Sequence, residues 1–235
     1  MVSMNENKPR IAVLFGCTAS GKTALAVALS KYIDIEVISA DSRQIFKYLD
    51  IGTAKPTIEE QQKLKHHLID FIEPNEYYSA GIFASDSAET YKKIVASGKY
   101  PLVVGGAGLY IKSLIDGFTV KTHFDTNPET VMKIRENLEE VLEKYGKEFL
   151  YGELEKVDPE AAELYNDMNP RRILRALEYY YSTSDKFSDS LVEQKEKSFK
   201  PMYYGLFVNR DLLYQRINQR ADKMWKEGLI DEVRM

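Results

Sequence analysis

The sequence predicts an α/β fold, a parallel β-sheet flanked by helices and carrying a helical insertion domain. Three observations predict it. Short apolar runs alternate with helical patterns through the N-terminal half, the order of β-α-β units. From Asn127 to about Tyr181 helix follows helix with no strand candidate, and at Met202 to Val208 a strand pattern returns. The expected boundaries are therefore 1–120 and 200–235 for the α/β core and 121–199 for the insertion.

The first strand is Ile11-Ala12-Val13-Leu14-Phe15, a continuous apolar run of the kind buried on both faces of a parallel sheet. Gly16-Cys17-Thr18-Ala19-Ser20-Gly21-Lys22-Thr23 follows at once and satisfies G-x-x-x-x-G-K-[ST]. The glycines let backbone N–H groups turn inward around a diphosphate, Lys22 adds a point charge, and the Thr23 hydroxyl is placed to hold Mg²⁺. Ala24 to Tyr32 is a good helix former, so a helix N-terminus also faces the anion. Strand, loop and helix together predict a P-loop NTPase-like core with a polyphosphate site. The loop by itself does not choose among nucleotides and isoprenoid diphosphates.

The second strand is Glu36 to Ala40, and Asp41-Ser42-Arg43-Gln44 stands at its carboxyl end, where ligands of open parallel sheets sit. An acid there serves as a general base or holds a metal through water; its other reading is a helix N-cap. Asp50-Ile51-Gly52-Thr53-Ala54-Lys55-Pro56 lies a few residues on. Leu68 to Ile72 predicts a third strand, and the adjacent His66 and His67 before it read as structural rather than metal-binding. Ala80 to Ser97 predicts a helix closed by Gly98, and Pro101 to Val104 a fourth strand. Gly105-Gly106-Ala107-Gly108-Leu109-Tyr110 then makes room for close backbone approach to a ligand. Ser182 to Lys200 is polar and contains the return linker. Arg210 to Glu227 is the final long helix, with Arg216 and Arg220 four apart on one face.

Composition sets bounds. A 44% hydrophobic content is ample for a core, and a net charge of −4 leaves any RNA contact to a local basic surface. One cysteine, Cys17, excludes an internal disulfide, and no apolar run is long enough for a signal or membrane segment, so a cytoplasmic protein without membrane attachment is expected.

Four segments carry a resemblance to a known family: Gly16 to Thr23, Asp41 to Gln44 with Asp50 to Pro56, Gly105 to Tyr110, and Asn169 to Glu178. In this order and spacing the chain resembles the tRNA dimethylallyltransferases, or tRNA isopentenyltransferases, over about Ile11 to Val233. The resemblance implies transfer of a dimethylallyl group from dimethylallyl diphosphate to N6 of the adenine beside the anticodon of tRNA, with Mg²⁺ and a flipped target base. It implies Asp41, Lys22 and Arg220 as catalytic groups, Arg220 closing on the diphosphate. It places Asp41, Ser42, Arg43, Gln44 and Ala107 toward the target base, and Pro170, Arg171, Arg172, Ile173 and Leu174 in a segment that contacts the tRNA anticodon stem-loop. A monomer is expected. Arg175 reads equally as an internal salt-bridge partner.

The sequence departs from the family pattern at three places within the chain. Ala107 stands where the family has threonine, Cys17 where it has proline, and Val131 near a position where an arginine contacts tRNA. The chain ends at Met235, where the family continues for several helices, which reads as truncation or as a short paralogue. Three alternatives stay open at this point: an adenylate isopentenyltransferase, a P-loop small-molecule kinase using ATP, and a catalytically impaired paralogue.

Overall fold

A computed structural model describes residues 8–116, 128–191 and 199–234 of the chain. The chain divides into two compact units, Met1–Phe118 with Lys195–Met235, and Thr119–Gln194. The first runs β1 (Arg10–Gly16), α1 (Lys22–Leu29), β2 (Ile35–Ala40), α2 (Ile58–Lys63), β3 (His66–His67), α3 (Ala80–Ala96), β4 (Tyr100–Gly105) and α4 (Gly108–Asp116). The second holds α5 (Pro128–Val157), α6 (Pro159–Leu164), α7 (Pro170–Thr183) and α8 (Phe187–Leu191). The chain then returns to the first unit with β5 (Lys200–Leu206), α9 (Arg210–Lys226) and α10 (Leu229–Arg234).

The five strands form one parallel sheet in the order β3-β2-β4-β1-β5, the parallel α/β architecture that the alternation predicts. Strands β1, β2 and β4 are buried on both faces, while the edge strand β5 leaves Met202, Tyr203 and Tyr204 exposed. Ile11, Val13, Ile38 and Val103 meet Phe83, Ile94 and Leu114 on one side, and Leu14, Val37, Leu102 and Val104 meet Ala26 and Leu64 on the other. Because β4 lies between β1 and β2, their carboxyl ends share one row: Phe15 is opposite Gly105 and Gly105 opposite Ala40. The loops that follow β1, β2 and β4 therefore emerge side by side at the topological switch point of the sheet.

Close approach dictates one glycine in that row. A Cβ on Gly105 would lie 2.0 Å from the Ala40 carbonyl oxygen, so only glycine fits. Gly98, at φ +80° one residue past the C-cap Ser97, closes α3 as its sequence predicts.

The third strand is displaced from its expected place. Only His66 and His67 pair with β2, while Leu68 and Asp70 take positive φ of 57° and turn the chain off the sheet. The apolar run goes instead to segment 44–47: the N–H groups of Asp70, Phe71 and Ile72 donate to the carbonyls of Gln44 and Ile45, and Lys47 N–H donates to the Ile72 carbonyl. The short helix α2, whose Thr57 and Glu60 form a capping box, and the helix α10 are not anticipated by the sequence reading.

The second unit is helical throughout its described residues. Gly146 (φ 83°) bends α5, and Leu138, Leu150, Leu154, Ile173, Leu177 and Tyr179 form its core. Asp158, fully buried, caps α6 through the Ala161 N–H and accepts the Ser188 N–H at 2.8 Å, which joins α6 to α8. Asn169 caps α7 ahead of Pro170, the residue best suited to a first helical turn.

Candidate active site

The loop after β1 is shaped by two left-handed residues, Ala19 (φ 62°) and Gly21 (φ 95°). Gly21 is the N-cap of α1 and supplies no side-chain bond to its first amides, so those donors are left for an anion. Lys22, the first residue of α1, folds back over the loop and donates to the carbonyls of Gly16 and Cys17, both at 2.9 Å. Inside the loop the Ser20 hydroxyl is buried without a hydrogen-bond partner, a polar atom in need of one.

Asp41 leaves the tip of β2 and accepts the N–H groups of Arg43 (2.9 Å) and Gln44 (3.3 Å), both on Oδ1. Residues 42–45 form a turn and not a helix, so Asp41 closes an Asx-type turn where a helix N-cap was the other expectation, and neither bond uses Oδ2. Gln44 in turn donates through Nε2 to the carbonyls of Thr53 (3.2 Å) and Ala54 (3.0 Å), tying down the loop 50–56. Arg220 of α9 reaches the same Thr53 carbonyl with Nη2 at 3.5 Å. Between these groups opens a cavity of about 730 Å³. Thr18, Ala19, Gly21, Lys22 and Thr23 form its floor, and Asp41, Arg43, Gln44 and Gly105 line it beyond the strand ends. Arg220, with Ile217, Ala221 and Met224, forms the α9 wall.

The electrostatics of the cavity favour an anion. Burial lowers the Lys22 ammonium pKa, with Asp41 and Cys17 holding it up and Arg220 pushing it further down. Arg220 is likewise lowered by burial and supported by Asp41. Two half-buried cations held near one carboxylate leave an excess of positive charge that a polyphosphate would neutralise.

Comparison with known proteins bears on this geometry directly. Residues 44–235 match the family model described as IPP transferase. The chain is 43% identical over 227 residues to the tRNA dimethylallyltransferase of Carboxydothermus hydrogenoformans, covering 96% of this chain and 71% of that protein. It is 40% identical over 232 residues to the tRNA dimethylallyltransferase of Bacillus subtilis, covering 98% and 72%. The chain belongs to the IPP transferase family. Among solved structures it is similar to a tRNA delta(2)-isopentenylpyrophosphate transferase from Staphylococcus epidermidis, at TM-score 0.61 and 36% identity over 97% of this chain and 73% of that one. A eukaryotic dimethylallyltransferase acting on tRNA superposes with TM-score 0.76 at 29% identity, over 96% of this chain and 55% of that one.

Within this family member the predicted site residues fall into two sets. The phosphate loop, Asp41, Arg43, Gln44 and Arg220 meet at the cavity. Ser42 and Ala107 are beside it without lining it; Ala107 donates its N–H to the Ala40 carbonyl at 3.1 Å and packs against the core. Arg216 is exposed and also outside the lining.

The segment Pro170 to Leu174 opens α7 in the second unit. Ile173 is fully buried and Leu174 packs against that core, so their side chains serve packing. Arg171 and Arg172 are exposed, the latter paired with Asp167 at 3.2 Å. They are the groups of this segment able to reach an anion. Arg175 is paired with Glu178. His66 lines the cavity, with its imidazole pKa lowered by burial and Nδ1 on the Leu64 carbonyl at 2.7 Å.

Besides His66, Ile217, Ala221 and Met224 of the lining, two acceptors escape the sequence reading. One is the Thr53 carbonyl, the shared acceptor of Gln44 and Arg220. The other is Glu232 on α10, which accepts the N–H groups of Asp50, Ile51 and Gly52. A backbone acceptor has no signature in sequence, and Glu232 stands in a short charged helix with nothing local to mark it.

Proposed function

We propose that this protein transfers a dimethylallyl group from dimethylallyl diphosphate to N6 of the adenine next to the anticodon of tRNA. The observation that carries the reading is the meeting of a phosphate loop, a strand-end carboxylate and a second cation around one cavity. In this arrangement the loop amides and Lys22 bind the diphosphate as a leaving group, and Arg220 adds charge from the opposite wall. Donors fixed where charge grows on the departing diphosphate stabilise the transition state more than the ground state.

The acceptor amine is a weak nucleophile whose proton must leave as the C–N bond forms. Asp41 is the base in this reading, with Oδ1 held by two backbone N–H groups and Oδ2 left to take the proton. Arg43 and Gln44, which line the same cavity, would touch the target base. Arg171 and Arg172 would meet RNA phosphates.

Mg²⁺ fits the residues present. Among the described residues no cluster of three or more His, Cys, Asp or Glu forms a protein cage for a metal. Mg²⁺ needs none, since it is held by substrate phosphates and water with one or two protein oxygens. Thr23 supplies such an oxygen at the cavity. When bound, the ion would neutralise charge on the diphosphate. No helix among the described residues is long and apolar enough to cross a membrane, and the reading takes the enzyme as a cytoplasmic monomer.

The test is a transfer assay with labelled dimethylallyl diphosphate and Mg²⁺, offering in parallel an anticodon stem-loop with the target adenine, free AMP, and no acceptor. Label in the stem-loop alone is the expected result. Label in AMP alone would transfer the protein to the adenylate-prenylating class, and diphosphate binding without label in either acceptor would overturn the activity.

A further inference from the structure

No residue of α9 is buried, and the one buried residue of α10 is the acid Glu232. Apolar residues of the pair such as Ile217, Met224 and Leu229 are only partly buried, and the polar contacts that tie both helices to their unit converge on one loop. Glu232 Oε2 accepts the N–H groups of Asp50 (2.8 Å) and Ile51 (2.7 Å), and Oε1 that of Gly52 (2.8 Å). The next residue, Thr53, offers its carbonyl to Arg220 of α9. The fit is close: a Cβ on Gly52 would stand 3.2 Å from Leu229 Cδ1 and 3.3 Å from Glu232 Oε1.

We propose that Glu232 is a positioning residue whose carboxylate latches α10 to the amides of 50–52 and so holds Arg220, on the preceding helix, over the phosphate loop. The proposal rests on the reading of that loop as a diphosphate site. Three N–H donors demand three acceptor positions, which two carboxylate oxygens supply. A glutamine of the same shape has one acceptor oxygen and turns an NH₂ toward at least one donor, so the isosteric change breaks the latch. The far end of the loop is pinned independently, since Lys55 Nζ lies 2.5 Å from Asp50 Oδ1 and 2.6 Å from Asp70 Oδ1. Gln44 holds its middle. The loop is thus a fixed platform, and Glu232 is the side-chain contact by which α10 reads its position.

The experiment measures binding of inorganic diphosphate by calorimetry to the wild-type chain, Glu232→Gln, Arg220→Met and the double variant, with amide hydrogen exchange on each. Glu232→Gln is expected to weaken binding roughly tenfold and to speed exchange at Asp50, Ile51 and Gly52, and the double variant to bind no more weakly than Arg220→Met alone. Wild-type affinity in Glu232→Gln, or losses that simply add in the double variant, would overturn the proposal. Exchange at 50–52 reports the latch without ligand, so a wild-type chain that fails to bind diphosphate would defeat the reading of the loop and leave the latch separately decided. Should Glu232→Gln fail to fold, Glu232→Asp keeps the charge with a shorter reach and is held to the same comparison.

Discussion

The Lys22 ammonium and the Gly16 carbonyl are hydrogen-bonded at 2.9 Å, so the cation of the phosphate loop is held by the loop it serves. A second bond to Cys17 completes the hold. A bound diphosphate would offer Nζ full charges in place of two neutral carbonyls, a change that favours the ligand. Lys22→Met should therefore lower transfer by about 10²- to 10³-fold, the range found when one transition-state donor is removed. Lys22→Arg should not restore it, because a planar guanidinium cannot occupy the site of a compact ammonium. Stopped transfer assays on both variants check this, with the melting temperature as control for the fold.

Asp41 has two separable tasks, and a pair of substitutions distinguishes them. Its Oδ1 accepts two backbone N–H groups, a turn-closing role that an asparagine oxygen fills and an alanine does not. Asp41→Asn should retain stability yet lose transfer by about 10²-fold or more, as expected for removal of a general base. Asp41→Ala should lose activity and, in addition, about 1 kcal/mol of stability from the lost hydrogen bonds. If Asp41→Asn retains transfer, the carboxylate closes the turn and is not the base.

What was legible in the sequence was local. The phosphate loop announces itself because strand, turn and helix are contiguous between Ile11 and Leu29 and each must be of one kind for the loop to work. Strand burial was legible at β1, β2 and β4, whose apolar runs are inner strands, but the equally apolar β5 is an edge strand with Met202, Tyr203 and Tyr204 exposed. Leu68 to Ile72 misled because an apolar run specifies burial and not partner; two left-handed residues sent it to segment 44–47 instead of the sheet edge. Ile173 misled in the opposite way, since it is embedded between arginines and a helix cap yet faces the core. Glu232 lies about 180 residues from the amides it binds, and nothing in its own neighbourhood signals a contact at that range.

At the other end of β2, Glu36 is buried against His67 at 2.5 Å and Lys99 at 3.0 Å. Burial alone would raise its carboxyl pKa, but the bonds to His67 and Lys99 and the charge of Lys65 outweigh this and hold it down to about 2. The unfolded chain therefore takes up this proton first as acid is added, so the stability from Glu36 is full above about 4.5 and is lost as pH falls toward about 2. Glu36→Gln should lower the urea midpoint at neutral pH and show a shallower fall across that acid window than the wild type. Equal slopes in the two proteins would mean that the network contributes nothing to acid stability.

Two glycines offer a paired test of backbone approach against helix propensity. At Gly105 an added Cβ meets the Ala40 carbonyl oxygen at 2.0 Å and its carbon at 2.5 Å, both backbone atoms of the neighbouring strand that cannot yield without parting β2 from β4. Gly105→Ala should cost about 3 kcal/mol or more, at the upper end of overpacking penalties, and should abolish transfer, because the same displacement moves the tip of β2 that carries Asp41. At Gly152, in the helical region of α5, nothing lies within 4 Å of the added atom. Gly152→Ala should instead stabilise by about 0.5–1 kcal/mol through helix propensity and leave diphosphate binding as it was. Urea titrations decide both: the expected result is a midpoint that falls for Gly105→Ala and rises for Gly152→Ala at unchanged slope. A neutral Gly105→Ala would mean that the strands can separate at the switch point, and with that the rigid row beneath the phosphate loop would be lost as the basis of the site.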